Sequence, residues 1–267
     1  ITLNEVGVEV PIIVDARGSG GGALAERAKA LGIRVENGKA ISKVFGKKRV
    51  EAISICEHKD SGKGNEKIAC DCIAMSGGWS PVVHLYSHCG GKLKWDEKMA
   101  LFKPDSSAKP SSHDGLPFVT AVGSANGFLL MQEVLKDARE GCLEVVEASG
   151  GKVKKESFKL IEQEYENSLE AIWIAPQDAD IKKRSKIWLD FQNDVKINDV
   201  ELAAREGFES VEHTKRYTTL GMATDQGKLS NINGLAILSS SLGKEIPKVG
   251  TTTFRPPYTP ISLGSIG

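Results

Sequence analysis

A strand, a glycine-rich loop and a helix follow one another near the start of the chain, and this order constrains the fold more than any other feature. Residues 8–17, VEVPIIVDAR, form an apolar run typical of a buried parallel strand, with Asp15 at its carboxyl end. The loop GSGGG follows, and ALAERAKALG has the apolar spacing of a short helix before IRVEN predicts a second strand. This βαβ unit indicates an α/β domain with parallel strands.

The loop at 18–22 is only loosely similar to a phosphate-binding fingerprint. Glycine lets a phosphate approach backbone N–H groups, but one glycine-rich loop is weak evidence for such a site. Two interpretations therefore stay open, a mobile surface loop, which we favour, and a phosphate contact.

Antiparallel strands are predicted next. AISKVFGKKRVEAISICEH and NEKIACDCIAMSGG are separated by a turn at 59–65, and GKLKWDEKMALFKPD predicts another hairpin. Alternation along IACDCIAM places Cys70 and Cys72 on one face of a strand, and we expect the five cysteines to be free and buried. Their spacing is not that of a metal site, so no metal ligand is predicted.

A second strand, glycine turn and helix are predicted within 116–151. FVTAVG has the character of a strand, GSANG that of a tight turn, and the following helix has Leu130, Val134, Leu135 and Ala138 on one face. The N–H groups at such a helix start bind anions such as a pyrophosphate. A plain turn in a doubly wound sheet is the alternative interpretation.

The next segment of the chain differs from the preceding one in its high density of charged residues. Residues 149–187 are highly charged and predict a linker, and a helical unit is expected to begin at Trp188. The residues expected to begin or end its helices are Asn198, Ser210, Ser230 or Asn231, and Gly243. The tail after this unit is rich in proline and is expected to be extended.

Composition and motif spacing exclude several kinds of function. The 35 basic residues equal the 35 acidic residues, so no global positive field attracts nucleic acid. No apolar run approaches the roughly 18 residues of a membrane helix and no leader is visible, which favours a cytoplasmic protein. The histidines that we considered, His84, His88, His113 and His213, have no serine or cysteine at nucleophile spacing. We therefore assign no catalytic residue.

Several stretches, in this order along the chain, resemble the α-subunit of heterotetrameric sarcosine oxidases. They are VEVPIIVDAR, DCIAMSGGWSPVVHLYS, AVGSANG, WLDFQNDV, ELAAREGFESVEHTKRYTTLGMATDQGK and GTTTFRPPYTP. The resemblance covers nearly the whole chain and implies the middle of a longer polypeptide. The implied fold is an incomplete α/β dinucleotide-binding domain of the FAD/NAD-linked reductase kind, followed by a small all-α domain. The implied segments are the dinucleotide-binding domain at 1–148, the linker at 149–187, the helical domain at 188–246, and a junction at 247–267 toward a folate-binding domain.

The resemblance also implies an activity. In that family sarcosine is oxidatively demethylated to glycine, formaldehyde passes to tetrahydrofolate, and hydrogen peroxide is released. NAD is implied on this subunit, FMN and FAD on a flavin-bearing β-subunit, and smaller γ- and δ-subunits complete the heterotetramer. Two alternatives stay open, a non-catalytic scaffold with a degenerate dinucleotide site and the α-subunit of a related amino-acid oxidase or dehydrogenase.

Two groups of site residues follow from the resemblance. The residues expected to face NAD are Gly123, Ser124, Ala125, Asn126 and Leu130. The residues expected to reach the FMN of the partner are Lys215, Arg216 and Thr218. A flavin phosphate favours cationic donors, although a solvated pair on a helix face is the alternative for Lys215 and Arg216. The stretch SGGWS is expected to line the crossing between two dinucleotide subdomains, with Trp79 packed rather than stacked on a base.

The helical unit is similar to a small iron–sulfur domain of related oxidoreductases. The cysteine pairs of that domain fall here on Phe191 and Asn193, and on Asp225 and Ser230. A [2Fe–2S] cluster needs four soft ligands, so we predict no cluster. Apolar contacts and hydrogen bonds are expected to fill its place.

Overall fold

The computed structural model describes residues 1–64, 66–152, 169–253 and 259–267. These residues form two compact units, one of 1–77 with 169–184, and one of 78–152 with the described residues from 185 onward. Residues 78–148, which the family resemblance places in the first domain, thus belong to the second compact unit. The predicted domain boundaries themselves stay predictions, and part of the predicted linker lies outside the described residues.

The regular elements of the described residues are short helices and strands, with most strands in the first half of the chain and most helices in the second half. The helices are α1 (Thr2–Glu5), α2 (Ala23–Ala30), α3 (His84–His88), α4 (Met131–Ala148), α5 (Ile181–Arg184), α6 (Ile197–Arg205), α7 (Val211–Thr218), α8 (Asn231–Leu242) and α9 (Ile246–Val249), with 3-10 turns at Gly123–Asn126 and Leu263–Ser265. The strands are β1 (Ile12–Asp15), β2 (Arg34–Asn37), β3 (Lys39–Phe45), β4 (Ala52–Glu57), β5 (Glu66–Ala69), β6 (Leu93–Asp96), β7 (Leu101–Pro104), β8 (Trp188–Asp190) and β9 (Val195–Lys196). No helix of the described residues combines the length and apolarity needed to span a membrane.

The first unit confirms the predicted βαβ pattern. Strands β1 and β2 pair in parallel with Ile13 opposite Val35, and α2 connects them. Strands β3, β4 and β5 form an antiparallel sheet in that order, also as predicted. Strand β4 is central and lies almost entirely buried, so its run of Ala, Ile and Cys supplies the core of this sheet.

The expectation that the cysteines are buried is wrong for four of the five. Strand β5 ends at Ala69 because its partner β4 begins at Ala52, directly opposite. Cys70 and Cys72 therefore lie beyond the strand, and Cys72 is exposed. Cys89 and Cys142 are also exposed, which leaves Cys56 of β4 as the buried one. All five are free, as expected.

Helix α8 forms the core of the second unit. It is apolar on most of its surface, which is typical of a helix enclosed by other elements. Leu235, Ile237 and Leu238 are almost fully buried, and α6 packs against α8 with Ile197, Val200 and Ala203 buried. Burial of each large aliphatic side chain contributes roughly 1.5–3 kcal/mol to the free energy of unfolding.

One strand predicted in the second unit does not form. FVTAVG is extended at Val122, but no strand of the described residues pairs with it, so its β-branched residues form no ladder. The β8–β9 hairpin, which was not predicted from the sequence, begins at Trp188 and precedes the first helix of the predicted helical unit. Asp194 adopts a left-handed conformation with φ of 54°, which tightens this hairpin before α6 begins.

The predicted helix boundaries are correct in three places and wrong in one. Ser210 precedes α7, Asn231 begins α8, and Gly243 ends it in a left-handed conformation. Asn198 is not an N-cap, because α6 already begins at Ile197. The side chain of Asp199 accepts a hydrogen bond from the Lys196 backbone N–H at 2.8 Å, and this contact fixes the earlier start.

Candidate functional site

The turn GSANG is the first candidate site. Gly123, Ser124, Ala125 and Asn126 form one 3-10 turn, and Leu130 lies directly before α4. Gly123 has φ of +62°, and a Cβ at this position would lie 3.0 Å from Val134 Cγ1. Glycine is therefore required both by the backbone conformation and by the close approach of α4.

A carboxylate of the chain occupies the anion position of this turn. Asp137 on α4 accepts a hydrogen bond from the Gly123 N–H at 2.6 Å, and the side-chain amide of Asn126 lies 3.3 Å from both carboxylate oxygens. A second anion at the same N–H would be repelled by this charge. The motif that predicted an anion site thus binds an internal anion.

The glycine-rich loop at 18–22 has the same feature. The Gly18 N–H donates to Glu170 Oε2 at 3.2 Å, and the side-chain amide of Asn37 donates to the Gly20 carbonyl at 2.7 Å. Asp15, at the carboxyl end of β1, pairs with Arg17 at 2.7 Å. Burial raises the pKa of Asp15, but hydrogen bonds and the charge of Arg17 outweigh this effect, so its pKa is lowered overall.

The second candidate group lies on α7. Arg216 is exposed and Lys215 is half-buried, whereas the Thr218 hydroxyl is used within the helix end. Thr218 Oγ1 donates to the Thr214 carbonyl at 2.8 Å and accepts from the Leu220 N–H at 3.2 Å. Thr218 therefore ends the helix, and Arg216 is the exposed cation of this set.

The turn of the β8–β9 hairpin fixes the loop that follows α7. Asp190 is buried, and its carboxylate accepts hydrogen bonds from the backbone N–H groups of Gln192, Asn193 and Gly221 at 2.8–3.0 Å. Three donors satisfy this buried charge, which is otherwise costly to remove from water. Asp190 thus connects the hairpin to the segment His213–Gly227. This connection was not predicted from the sequence.

Side-chain amides extend this connection. Asn193 Nδ2 donates to the Thr219 carbonyl at 2.8 Å. Gln192 Oε1 accepts from Thr224 Oγ1 at 3.1 Å and from the Asp225 N–H at 3.2 Å. We name these contacts, together with those of Asp190, the hairpin clamp.

The four positions that carry cysteines in the iron–sulfur domain have separate environments here. Asn193 belongs to the hairpin clamp, Asp225 accepts a hydrogen bond from the Gly227 N–H at 3.2 Å, and Ser230 is buried before α8. Phe191 is 70% exposed. Hydrogen bonds thus join the segments that carry these positions. Within the described ranges, no three His, Cys, Asp or Glu side chains are grouped so that they can hold a metal ion.

A small, mostly apolar cavity beside α8, with His84 in its wall, was not predicted from the sequence. His84 of α3 is 4% exposed, and burial lowers its pKa to about 4, with the charges of Lys228, His88 and Lys215 acting in the same direction. A neutral imidazole therefore lies near several cations. The signal in the sequence was a histidine within the otherwise apolar run PVVHLY.

Trp79, in contrast to His84, is exposed, so the expectation that it packs is wrong for the described structure. Residues 76–80, which include Trp79, form neither a helix nor a strand.

The chain is similar in sequence to known sarcosine oxidase alpha subunits over nearly its whole length. Residues 184–267 match the sarcosine oxidase A3 domain. The chain is 39% identical over 267 residues to sarcosine oxidase subunit alpha of Rhizobium meliloti (strain 1021), which covers 99% of the chain and 25% of that protein. It is 30% identical over 271 residues to the subunit alpha of Corynebacterium sp. (strain P-1), covering 96% of the chain and 26% of the relative. The chain thus spans about a quarter of the length of these relatives.

The fold is also found in a solved structure of a dehydrogenase. L-Proline dehydrogenase from P. horikoshii superposes with a TM-score of 0.71 at 18% sequence identity, over 100% of this chain and 52% of that protein. This similarity extends across both the α/β part and the helical part of the chain. At this level of identity the similarity concerns the fold alone.

Proposed function

We propose, on the premise that the chain is a relative of the sarcosine oxidase alpha subunit over nearly its whole length, that it is a stretch of an oxidoreductase alpha subunit. The complex oxidatively demethylates sarcosine to glycine, passes formaldehyde to tetrahydrofolate and forms hydrogen peroxide. The observation that carries this proposal is the 39% identity over 267 residues, which covers 99% of the chain.

The role proposed for this stretch is to cover the FMN of a flavin-bearing beta subunit. Arg216 is exposed on α7, and the guanidinium and the ammonium of Lys215 suit a flavin phosphate. Phe191 and Met222 are exposed and directly follow the two residues joined by the Asp190–Gly221 hydrogen bond. Aromatic residues, methionine and arginine are enriched in protein interfaces, so this surface suits a partner subunit.

The hairpin clamp supports the same role. A loop that meets a cofactor across an interface must hold its shape before the partner binds, because ordering it on binding costs affinity. Asp190 and Asn193 fix both sides of the turn at Thr219, where φ is +64°. In this proposal FMN and FAD belong to the partner, as the family resemblance implies, and this chain supplies a fixed cationic surface. The gamma and delta subunits complete the proposed complex.

A double substitution in the assembled complex tests this role. Lys215→Ala with Arg216→Ala is expected to lower the FMN content or the sarcosine oxidase activity by about tenfold, since two charge-assisted contacts are removed. The matched control is Lys136→Ala with Lys248→Ala, two exposed lysines on α4 and α9. Unchanged FMN content and activity in the first variant would remove the proposed role.

A second candidate function, a scaffold with a degenerate dinucleotide site, is favoured by one observation. The first N–H group of each glycine turn already donates to a carboxylate, Glu170 at Gly18 and Asp137 at Gly123. A pyrophosphate at Gly123–Asn126 would have to displace Asp137. NAD therefore fits this turn less well than the sequence motif predicted.

Titration with NAD separates the two candidates. If Gly123–Asn126 and Leu130 bind NAD, the unmodified chain gives saturable binding, and Asp137→Asn strengthens it because a like charge is removed. A scaffold gives no binding in either protein. Binding in the variant alone indicates a competent turn that Asp137 blocks.

A further inference from the structure

The antiparallel sheet of β3, β4 and β5 carries a cluster of positive charge toward one of its ends, and nothing in the proposed function uses it. Five exposed cations form this cluster, which we name the basic surface. They are Lys43 on β3, Lys47, Lys48 and Arg49 in the turn between β3 and β4, and Lys67 on β5. All of them belong to the first compact unit.

Strand register places the two strand lysines on one face of the sheet. Ser54 of the central strand lies opposite Lys43 on one side and opposite Lys67 on the other. Phe45 shares this face because it follows Lys43 by two residues. The ammonium groups of Lys43 and Lys67 lie 4.8 Å and 4.6 Å from the centroid of the Phe45 ring. The ring thus holds two cations nearer to each other than the Debye length of about 10 Å in dilute salt.

The turn that carries the other three cations has a fixed backbone. The N–H of Glu51 donates to the carbonyl of Phe45 at 2.9 Å and closes the turn. Gly46 has φ of +125°, and a Cβ at this position would collide with the carbonyl oxygen of Arg49. Glycine is therefore required here, and the cations at 47–49 are exposed on a turn of defined shape.

Cations toward the other end of this sheet have carboxylate partners. Arg34 of β2 pairs with Glu66 of β5, and Lys39 of β3 pairs with Glu57 of β4. Within the described part of the chain, no carboxylate forms such a pair with a cation of the basic surface. The whole chain has 35 basic and 35 acidic residues, so this excess of positive charge is local. Like charges held close together repel each other, and a bound anion reduces that repulsion.

The side chains of the basic surface favour an acidic polypeptide over other polyanions. Single-stranded nucleic acid stacks its bases on aromatic rings, but the ring of Phe45 already has two ammonium groups over it. Surfaces that bind membranes add apolar side chains to their cations. Val44, which is 49% exposed, adjoins Lys43 in the strand and therefore lies on the opposite face. The relatives from Rhizobium meliloti and Corynebacterium are each named a subunit, that is, one polypeptide of an assembly.

We propose that the basic surface docks an acidic segment of a partner polypeptide. Carboxylates of that segment bind the ammonium groups of Lys43 and Lys67 on the sheet and the cations of the turn. Arg49 can bind one carboxylate through two parallel hydrogen bonds, whereas each lysine acts as a point charge. The docking is independent of the FMN-facing role, because neither Lys215 nor Arg216 belongs to the basic surface.

Fluorescence anisotropy of a labelled peptide of alternating glutamate and serine, titrated with the full chain, tests the docking. Saturable binding is expected in the micromolar to millimolar range, and added salt should weaken it because exposed charges are screened. A matched peptide with glutamine in place of every glutamate should bind at least about tenfold more weakly.

Charge reversal in the turn identifies the surface that binds. Lys47→Glu with Lys48→Glu is expected to weaken binding of the acidic peptide by at least about tenfold. The control is Lys98→Glu with Lys136→Glu, two exposed lysines of the other compact unit, which gives the chain the same net charge and should leave binding unchanged. Lys47→Ala with Lys48→Ala removes the charge without reversing it and should give a smaller loss. Circular dichroism reports whether each variant is folded.

Three results overturn the proposal. The first is that the folded chain does not bind the acidic peptide, or binds the glutamine peptide equally well. The second is that reversal at Lys47 and Lys48 weakens binding no more than the control at Lys98 and Lys136. The third is that a single-stranded oligonucleotide with the same number of negative charges binds at least about tenfold more tightly than the peptide, which assigns the surface to nucleic acid. None of these results bears on FMN content, so failure here is distinct from failure of the proposed function.

Discussion

Helices α8 and α4 belong to the same compact unit and differ sharply in how they are covered. Helix α8 has 12 residues, of which seven are buried. Helix α4 has 18 residues, and Gly141 is the buried one among them. Met131, Leu135, Val145 and Val146 of α4 are exposed although they follow helical spacing. Amphipathic periodicity therefore predicts that a segment is helical. It does not predict how deeply the apolar face of the helix is buried, because that depends on which other elements pack against it.

The same substitution in both helices gives the largest contrast. Leu238→Ala, at a fully buried position of α8, is expected to lower the free energy of unfolding by about 2–5 kcal/mol because it leaves a cavity. Leu135→Ala, at a position 41% exposed on α4, should cost less than about 1 kcal/mol. Urea unfolding measures both values. Equal losses would show that α4 is as well packed as α8.

The pH dependence of the free energy of unfolding tests the burial of His84 beside α8. Burial lowers the pKa of His84 from 6.5 to about 4 in the folded chain, so the unfolded chain binds more protons between these pH values. The contribution of neutral His84 is therefore complete above pH 6.5 and is lost as the pH falls to about 4, by on the order of 3 kcal/mol. His84→Gln should remove this part of the pH dependence, and exposed His113→Gln should keep it. Identical pH profiles for both variants would contradict the burial of His84.

A pair of glycine substitutions at either end of α8 separates crowding from backbone strain. Gly227→Ala places a Cβ against the Asn231 amide at φ of +73°, and should cost about 1–3 kcal/mol or more. Gly243→Ala has a similar φ of +61° with no neighbour within 4 Å, so it reports the cost of backbone strain alone. The first loss should exceed the second in thermal unfolding. If the two losses are the same, the amide of Asn231 is not held against Gly227.

The smallest expected effect concerns the way in which α4 is attached. Asp137→Asn weakens a charge-assisted hydrogen bond to the Gly123 N–H and should cost about 1 kcal/mol, since the amide oxygen can still accept. Glu140→Gln, on the exposed surface of the same helix, serves as the control and should be neutral. Hydrogen exchange at the Gly123 amide should increase in the first variant alone. Unchanged exchange would show that Asp137 does not hold the turn.

Local patterns predicted most elements of the fold. The βαβ unit, the antiparallel sheet of β3 to β5 and the hairpin of β6 and β7 follow from alternation and turn residues. The ends of α8 follow from Asn231 and Gly243. The strand predicted at FVTAVG failed because strand formation needs a partner strand, which the composition of a segment does not reveal.

The candidate sites were harder to predict because their contacts join distant positions. Asp190 and Gly221 are 31 residues apart, and Asp137 reaches Gly123 from the following helix. Local patterns likewise indicated the two glycine turns but not the acids that accept their hydrogen bonds, Glu170 at Gly18 and Asp137 at Gly123. His84 and Asn231 line one cavity although they are far apart in the sequence, and no local pattern indicates that they share it.

Assembly with a flavin-bearing partner is the central claim, and co-purification tests it most directly. The tagged chain is expressed together with a sarcosine oxidase beta subunit, purified by the tag, and measured for flavin absorbance against protein. We expect flavin to co-elute in a fixed ratio to the chain, and Lys215→Ala with Arg216→Ala to lower that ratio while the beta subunit stays bound. Elution of the folded chain without flavin and without the beta subunit would contradict the proposed function.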